Sequence, residues 1–160
     1  MTDFQALIRL LAENKIAFII VGGVAATVHG SARLTLDLDI VYGRDPENIK
    51  RLVGVIKPFQ PYLRGAPRGL PFEWSVETIQ KGLNFTLITT LGALDLLGEI
   101  VGGGGYEELE PAAQRIEVAG VNCLCLGLEA LIKVKRAAGR PKDLEVIAEL
   151  EQILAERRSS

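Results

Sequence analysis

The chain has 160 residues, 48% of them hydrophobic and 24% charged, with a formal net charge of -2. That length and balance predict one domain with a real core and exclude a largely disordered chain. A nearly neutral chain also excludes non-specific DNA binding by global charge, so any polynucleotide contact has to rest on a local basic patch.

Phe4, Leu7, Ile8, Leu10 and Leu11 recur at the spacing of one helix face. They predict a helix capped by Thr2, running to about Glu13 and stopped at Asn14. This start lacks the basic flank and apolar stretch of a secretory signal, and no apolar run is long enough to span a bilayer. The expectation is a cytoplasmic protein with no membrane partner. Ile16 to Val21 is continuously apolar, as in a strand buried on both sides, and Gly22-Gly23 breaks it. Val24 to Val28 follows as a short helix ending near His29 and Gly30, and His29 reads as a helix-end residue. Ser31 to Thr35 is a loop into a strand over Leu36 to Tyr42.

Asp45-Pro46 opens the next helix, which Pro58 ends. Phe59 to Pro71 is rich in proline and glycine and predicts an irregular surface loop with Arg64 and Arg68 exposed. Ser75 caps a short helix that Gly82 stops. Leu83 to Thr89 and Ala93 to Ile100 read as strands, the second with Asp95 inside an apolar run. The tetraglycine Gly102 to Gly105 predicts a mobile or specially bent connector. Tyr106 to Leu109 reads as one helical turn, and Arg115 to Val118 with Asn122 to Leu126 as a hairpin. Cys123 and Cys125, two apart in an apolar run, are read as reduced core residues. Helices over Leu128 to Ala138 and Pro141 to Arg157 close the chain, with a fraying end through Ser160.

Three features carry chemistry. Gly22-Gly23 lies at a strand-to-helix turn, where glycine lets the backbone approach a phosphate closely. After thirteen intervening residues come Asp37 and Asp39, which project from one face of their strand and can chelate a hard cation. A solvated D-x-D on a strand edge is the plain alternative. Asp95 has apolar same-face neighbours in Ala93 and Leu97, and an unpaired carboxylate there needs a partner, a metal or water. Lys133, Lys135, Arg136, Arg140, Lys142 and Asp143 cluster across the start of the last helix pair, as a solvated face or as neutralisers of phosphate charge.

With VGG, TLDLDIV and ALDLL in this order and spacing, the sequence resembles the nucleotidyltransferase superfamily of the DNA polymerase beta type. The likeness extends to Arg33-Leu34-Thr35 and to LEALIKVKRAAGRPKDLEVI, which resemble the R-x-T and R-x-K-D signatures of a small bacterial branch. That branch holds minimal nucleotidyltransferases and abortive-infection type IV toxin-like proteins. The resemblance implies an α+β fold, a mixed β-sheet flanked by helices with a C-terminal helix pair. Its single domain has a core over about 15–126 and helices over about 127–157.

It further implies a magnesium-dependent transfer of a nucleoside monophosphate from an NTP to a hydroxyl of a protein, RNA or small molecule, with release of pyrophosphate. Asp37, Asp39 and Asp95 would be the catalytic and metal-ligating set, for two magnesium ions or manganese in their place. Gly22, Gly23, Arg33, Thr35, Lys135 and Lys142 would contact the nucleotide. Many members have serine as the second residue of the glycine pair, and Gly23 leaves only backbone there. A non-catalytic partner, for example in a toxin-antitoxin pair, is the alternative, and a metal-dependent hydrolase is a third reading.

Overall fold

The computed structural model describes residues 1–67 and 69–159. Arg68, expected in the exposed loop, and Ser160, expected at the fraying end, lie outside the described residues. In chain order the elements are α1 (Phe4–Glu13), β1 (Phe18–Val21), α2 (Gly22–Val28), β2 (Asp37–Tyr42), α3 (Pro46–Ile56), β3 (Tyr62–Leu63), α4 (Val76–Lys81), β4 (Phe85–Thr89) and β5 (Gly92–Leu97). They continue with β6 (Glu99–Ile100), β7 (Gly104–Gly105), α5 (Tyr106–Leu109), β8 (Ala113–Val118), β9 (Val121–Leu126), α6 (Leu128–Ala138) and α7 (Pro141–Ser159).

Seven strands form one mixed sheet in the order β3-β4-β5-β2-β1-β9-β8, and β6 and β7 pair separately. The β1–β2, β3–β4, β4–β5 and β8–β9 pairs are antiparallel, whereas β2–β5 and β1–β9 are parallel. Helix α1 packs on β9 and α3, while α2 packs on β1, β2 and α6, and α6 on α7. The α+β sheet with a C-terminal helix pair is therefore as expected. Leu128, Leu131, Ile147 and Leu150 of the last two helices join the same buried cluster as the central strands. No helix among the described residues is long and apolar enough to cross a membrane.

Several local expectations are corrected. Asp3, not Thr2, caps α1, accepting from the Ala6 N–H at 3.0 Å. Thr2 instead ties β2 to β5, its hydroxyl donating to Leu36 O at 2.6 Å and accepting from the Ala93 N–H at 3.0 Å. The proline-rich loop holds a two-residue strand, β3, paired with β4, and Arg64 beyond it is half-buried rather than exposed. The expected long strand through Ile100 breaks at Gly98, whose N–H donates to Leu83 O and Asn84 Oδ1.

The tetraglycine is a bent connector whose shape comes from close contact. A Cβ on Gly102 would strike the Ala137 methyl, and one on Gly103 would come within 3.0 Å of Ile100 and Val134. Gly104 and Gly105 then pair with β6. The C-terminal end does not fray at Arg157, which donates to the His29 carbonyl at 3.0 Å and approaches the His29 ring, and Arg158 pairs with Glu129. His29 is the C-cap of α2, buried, with Nε2 donating to Leu126 O at 2.7 Å. Cys123 and Cys125 are free and buried, as read.

Asn48, fully buried in α3, fastens the open ends of β1 and β2. Its amide nitrogen donates to Ala17 O at 3.1 Å and Gly43 O at 2.8 Å, and its oxygen accepts from the Ala17 N–H at 2.7 Å. Removing this amide leaves the Ala17 N–H and the Gly43 carbonyl without these partners, while Ala17 O keeps the Gly43 N–H at 3.0 Å. Asn48→Ala is expected to cost about 2–4 kcal/mol, read from urea denaturation; a loss of under 0.5 kcal/mol would contradict the assigned role.

Candidate functional site

Ladder register builds the site. Asp39 faces Val21 across the β1–β2 pair and stands beside Asp95 across the β2–β5 pair, with Asp37 beside Ala93. On the far side of β5, Thr86 of β4 partners Asp95. Ladder partners share a face, so Asp37, Asp39 and Asp95 emerge together. Leu38, Ile40, Leu94 and Leu96 point the other way and are fully buried. That apolar face pins the register, because a one-residue slip would turn all of it outward. One carboxylate oxygen from each aspartate lies within 4.8 Å of the others, the one such cluster of acids, histidines and cysteines among the described residues.

The three are not in equal surroundings. Asp39 Oδ1 is buried and is the one buried side-chain polar atom without a hydrogen-bond partner among the described residues. Burial, then the charge and hydrogen bond of Asp95 and the charge of Asp37, push the Asp39 carboxyl up to about 7, against the opposing pull of Lys135. Asp95 Oδ1 accepts from the Arg64 guanidinium, which also lies 3.8 Å from Asp37 Oδ1.

On the opposite wall Lys135 approaches from the last turn of α6, its Nζ 3.9 Å from Asp143. Burial lowers the Lys135 pKa against the attraction of Asp143 and Asp39. Asp143, only 2% exposed, takes Arg140 Nε at 2.6 Å and Nη2 at 3.1 Å. Burial raises the Asp143 pKa, but the hydrogen bonds and charge of Arg140, with Lys135, outweigh it and hold the carboxyl below its ordinary value.

Gly22 has φ +67°, and a Cβ there would run into the Asp39 carboxylate. Glycine at 22 therefore permits both the backbone turn and the seating of Asp39. A Cβ on Gly23 would come within 2.5 Å of Thr35 Oγ1 and 2.8 Å of its Cβ. Thr35 thus fills the room a side chain at 23 would need, and its hydroxyl donates to Asp37 O at 3.2 Å.

A cleft of about 510 Å³ runs over this region, with Gly22, Gly23, Thr35, Arg140 and Lys142 in its lining. A second of about 380 Å³ lies across Asp39 and Lys135, more apolar, with Leu97, Ile100, Val101 and Val134. The larger groove between α6 and α7, about 690 Å³, contains none of the three aspartates.

All nine expected site residues lie around one region, though Arg33 is turned toward α7, 3.5 Å from Glu145 and 3.8 Å from Glu149. The C-terminal basic cluster divides. Lys135, Arg140 and Lys142 reach the aspartate cleft, whereas Lys133 and Arg136 line the α6–α7 groove. In the sequence Arg140 and Asp143 read only as part of a cluster that is a solvated face or neutralises phosphate charge, not as a pair, and Asp95's apolar neighbours demand a partner, a metal or water. That partner, Arg64, carried no signal, since the strand that precedes it is two residues long.

The fold is that of nucleotidyltransferase structures at low identity. A protein of Thermotoga maritima named as a nucleotidyltransferase superposes with TM-score 0.59 at 14% identity, over 95% of this chain and 96% of that one. The lincosamide antibiotic adenylyltransferase LnuA with lincomycin bound gives 0.62 at 15% identity, over 96% and 98%. ANT(2″)-Ia in complex with adenylyl-2″-tobramycin gives 0.58 at 16% identity, over 99% and 98%. No family model and no curated protein matches the sequence.

The raised Asp39 pKa fixes a sign. From about pH 4 to 7 the folded protein keeps a proton that the unfolded chain has released. Its contribution to stability is complete below about pH 4 and is lost as pH rises through 7. Asp39→Asn is expected to flatten this decline and to stabilise the metal-free protein at pH 8 by about 1–3 kcal/mol. Urea melts at pH 5 and 8 check it, and parallel pH dependences in the two proteins would refute it.

Proposed function

We propose that this chain is a metal-dependent nucleotidyltransferase that moves a nucleoside monophosphate from an NTP to the hydroxyl of a small molecule. The observation that carries the reading is the convergence of three carboxylates beside a glycine turn, one of them with a buried oxygen that lacks any partner. An all-oxygen donor set fits magnesium or manganese, hard cations that commonly bridge carboxylates and phosphates. Asp37 and Asp39 would hold the metal, with the Asp95 carboxylate beside them. Bound there, it would supply positive charge for the phosphate and for the oxygens between which the nucleotidyl group passes.

The protein's own groups do the rest. The backbone at Gly22 and Gly23 lets the phosphate chain lie close, with Lys135, Arg140 and Lys142 on the β,γ side. The acceptor oxygen forms a bond to the α-phosphorus, the α–β bridging bond breaks, and pyrophosphate leaves with its electron pair. The hydroxyl proton passes to Asp95. The lincomycin and adenylyl-tobramycin held by two of the fold neighbours support a small acceptor. So does a second, more apolar cleft of about 380 Å³, in the size range of small-molecule sites.

Labelling with each α-phosphate-labelled NTP, against a panel of hydroxylated small molecules and a lysate, tests this. Asp37→Asn and Asp95→Asn are each expected to lower transfer at least roughly 1,000-fold; labelling that survives both changes sinks the assignment. Asp143→Asn loosens Lys135 and Arg140 and is expected to raise the KM for NTP about tenfold with a smaller change in kcat. An unchanged KM would show that the two cations do not meet the nucleotide.

A further inference from the structure

Arg64 belongs to the same row of the sheet as the aspartates. β3 ends with Leu63 opposite Leu87, and the Arg64 N–H extends that ladder by donating to Thr86 O at 2.9 Å. Thr86 in turn partners Asp95, and Asp95 stands beside Asp39. The sheet therefore sends Arg64, Thr86, Asp95 and Asp39 out on one face in sequence. The arginine reaches over the short threonine to the carboxylates. Its guanidinium engages Asp95 Oδ1, lies 3.8 Å from Asp37 Oδ1 and donates to Leu87 O at 3.4 Å. The contact comes from backbone register, and the side chain is 29% exposed.

We propose that Arg64 is a resident cation of this site, doing at Asp95 the charge-neutralising work of a second divalent ion. The site accordingly takes one divalent ion, at Asp39 and Asp37. The distribution of partners carries this. Asp95 and Asp37 already share a guanidinium, which holds carboxylates through a fixed fork of donors. The oxygen left without a partner is on Asp39, with which Arg64 forms no ion pair. A second divalent ion at Asp95 would have to lie against a fixed positive charge or expel it, whereas one ion at Asp39 meets an empty valence and two carboxylates.

This rests on the metal-dependent reading above and is tested by counting ions, independently of turnover. The full chain is titrated with Mn²⁺, alone and with a non-hydrolysable α,β-methylene ATP analogue, and bound ions per chain are counted by electron paramagnetic resonance. Wild type is expected to saturate at one Mn²⁺ per chain and Arg64→Gln at two, with Arg64→Lys remaining at one. Circular dichroism melts verify that the variants fold. Two ions in wild type would overturn the inference and leave the functional reading standing, as would a count of one in a folded Arg64→Gln protein. No Mn²⁺ bound by wild type at any concentration would overturn both.

Discussion

Placing Asp39 directly beside Asp95 in a parallel ladder brings like charges together at a partly dry surface, and much of the molecule is arranged around that repulsion. The cluster persists because neighbouring elements supply positive charge from opposite sides. From the sheet edge comes Arg64, carried in by β3; from the C-terminal helices comes Lys135, itself steadied by Asp143. Asp143 is charged and almost fully buried, which is tolerable only because Arg140 and Lys135 surround it. Fold and site are thus coupled through electrostatics as well as through the shared core.

Asp37, Asp39 and Asp95 were legible because strand alternation is a strict period of two, and an acid within an apolar run stands out against it. Helices α1, α3, α4 and α6 were legible from apolar spacing, caps and glycine stops, with Asp3 replacing Thr2 as the first cap. What escaped depends on long-range pairing. β3 is two residues in a proline-rich stretch, held by β4 and by nothing in its own composition. Arg64 looked like a solvent-facing residue for the same reason. The tetraglycine read as looseness, yet at Gly102 and Gly103 the missing side chains are what let the connector lie against α6. Local sequence cannot distinguish glycine kept for freedom from glycine kept for contact.

The identity of about 15% to structures that superpose over almost their whole length has a physical reading. A core tolerates exchange of apolar residues if volume and pattern are kept, so sequence can drift while the sheet order holds. The residues that set charge and close approach around the aspartates have less room to drift, since each is constrained by a particular neighbour.

Gly23 and Thr35 illustrate such a constraint. Because a side chain at 23 and the one at 35 compete for one volume, neither position is free on its own. A lineage could move a hydroxyl from the β2 entrance to the start of α2 only by emptying position 35 first; the reverse order passes through a steric clash. The pair is therefore a case of directional epistasis, in which the permitted order of substitutions is set by a distance of a few ångströms. Alignments that score the two columns independently would misread glycine at 23 as the loss of a functional group, when the pair as a whole still presents one hydroxyl to the cleft.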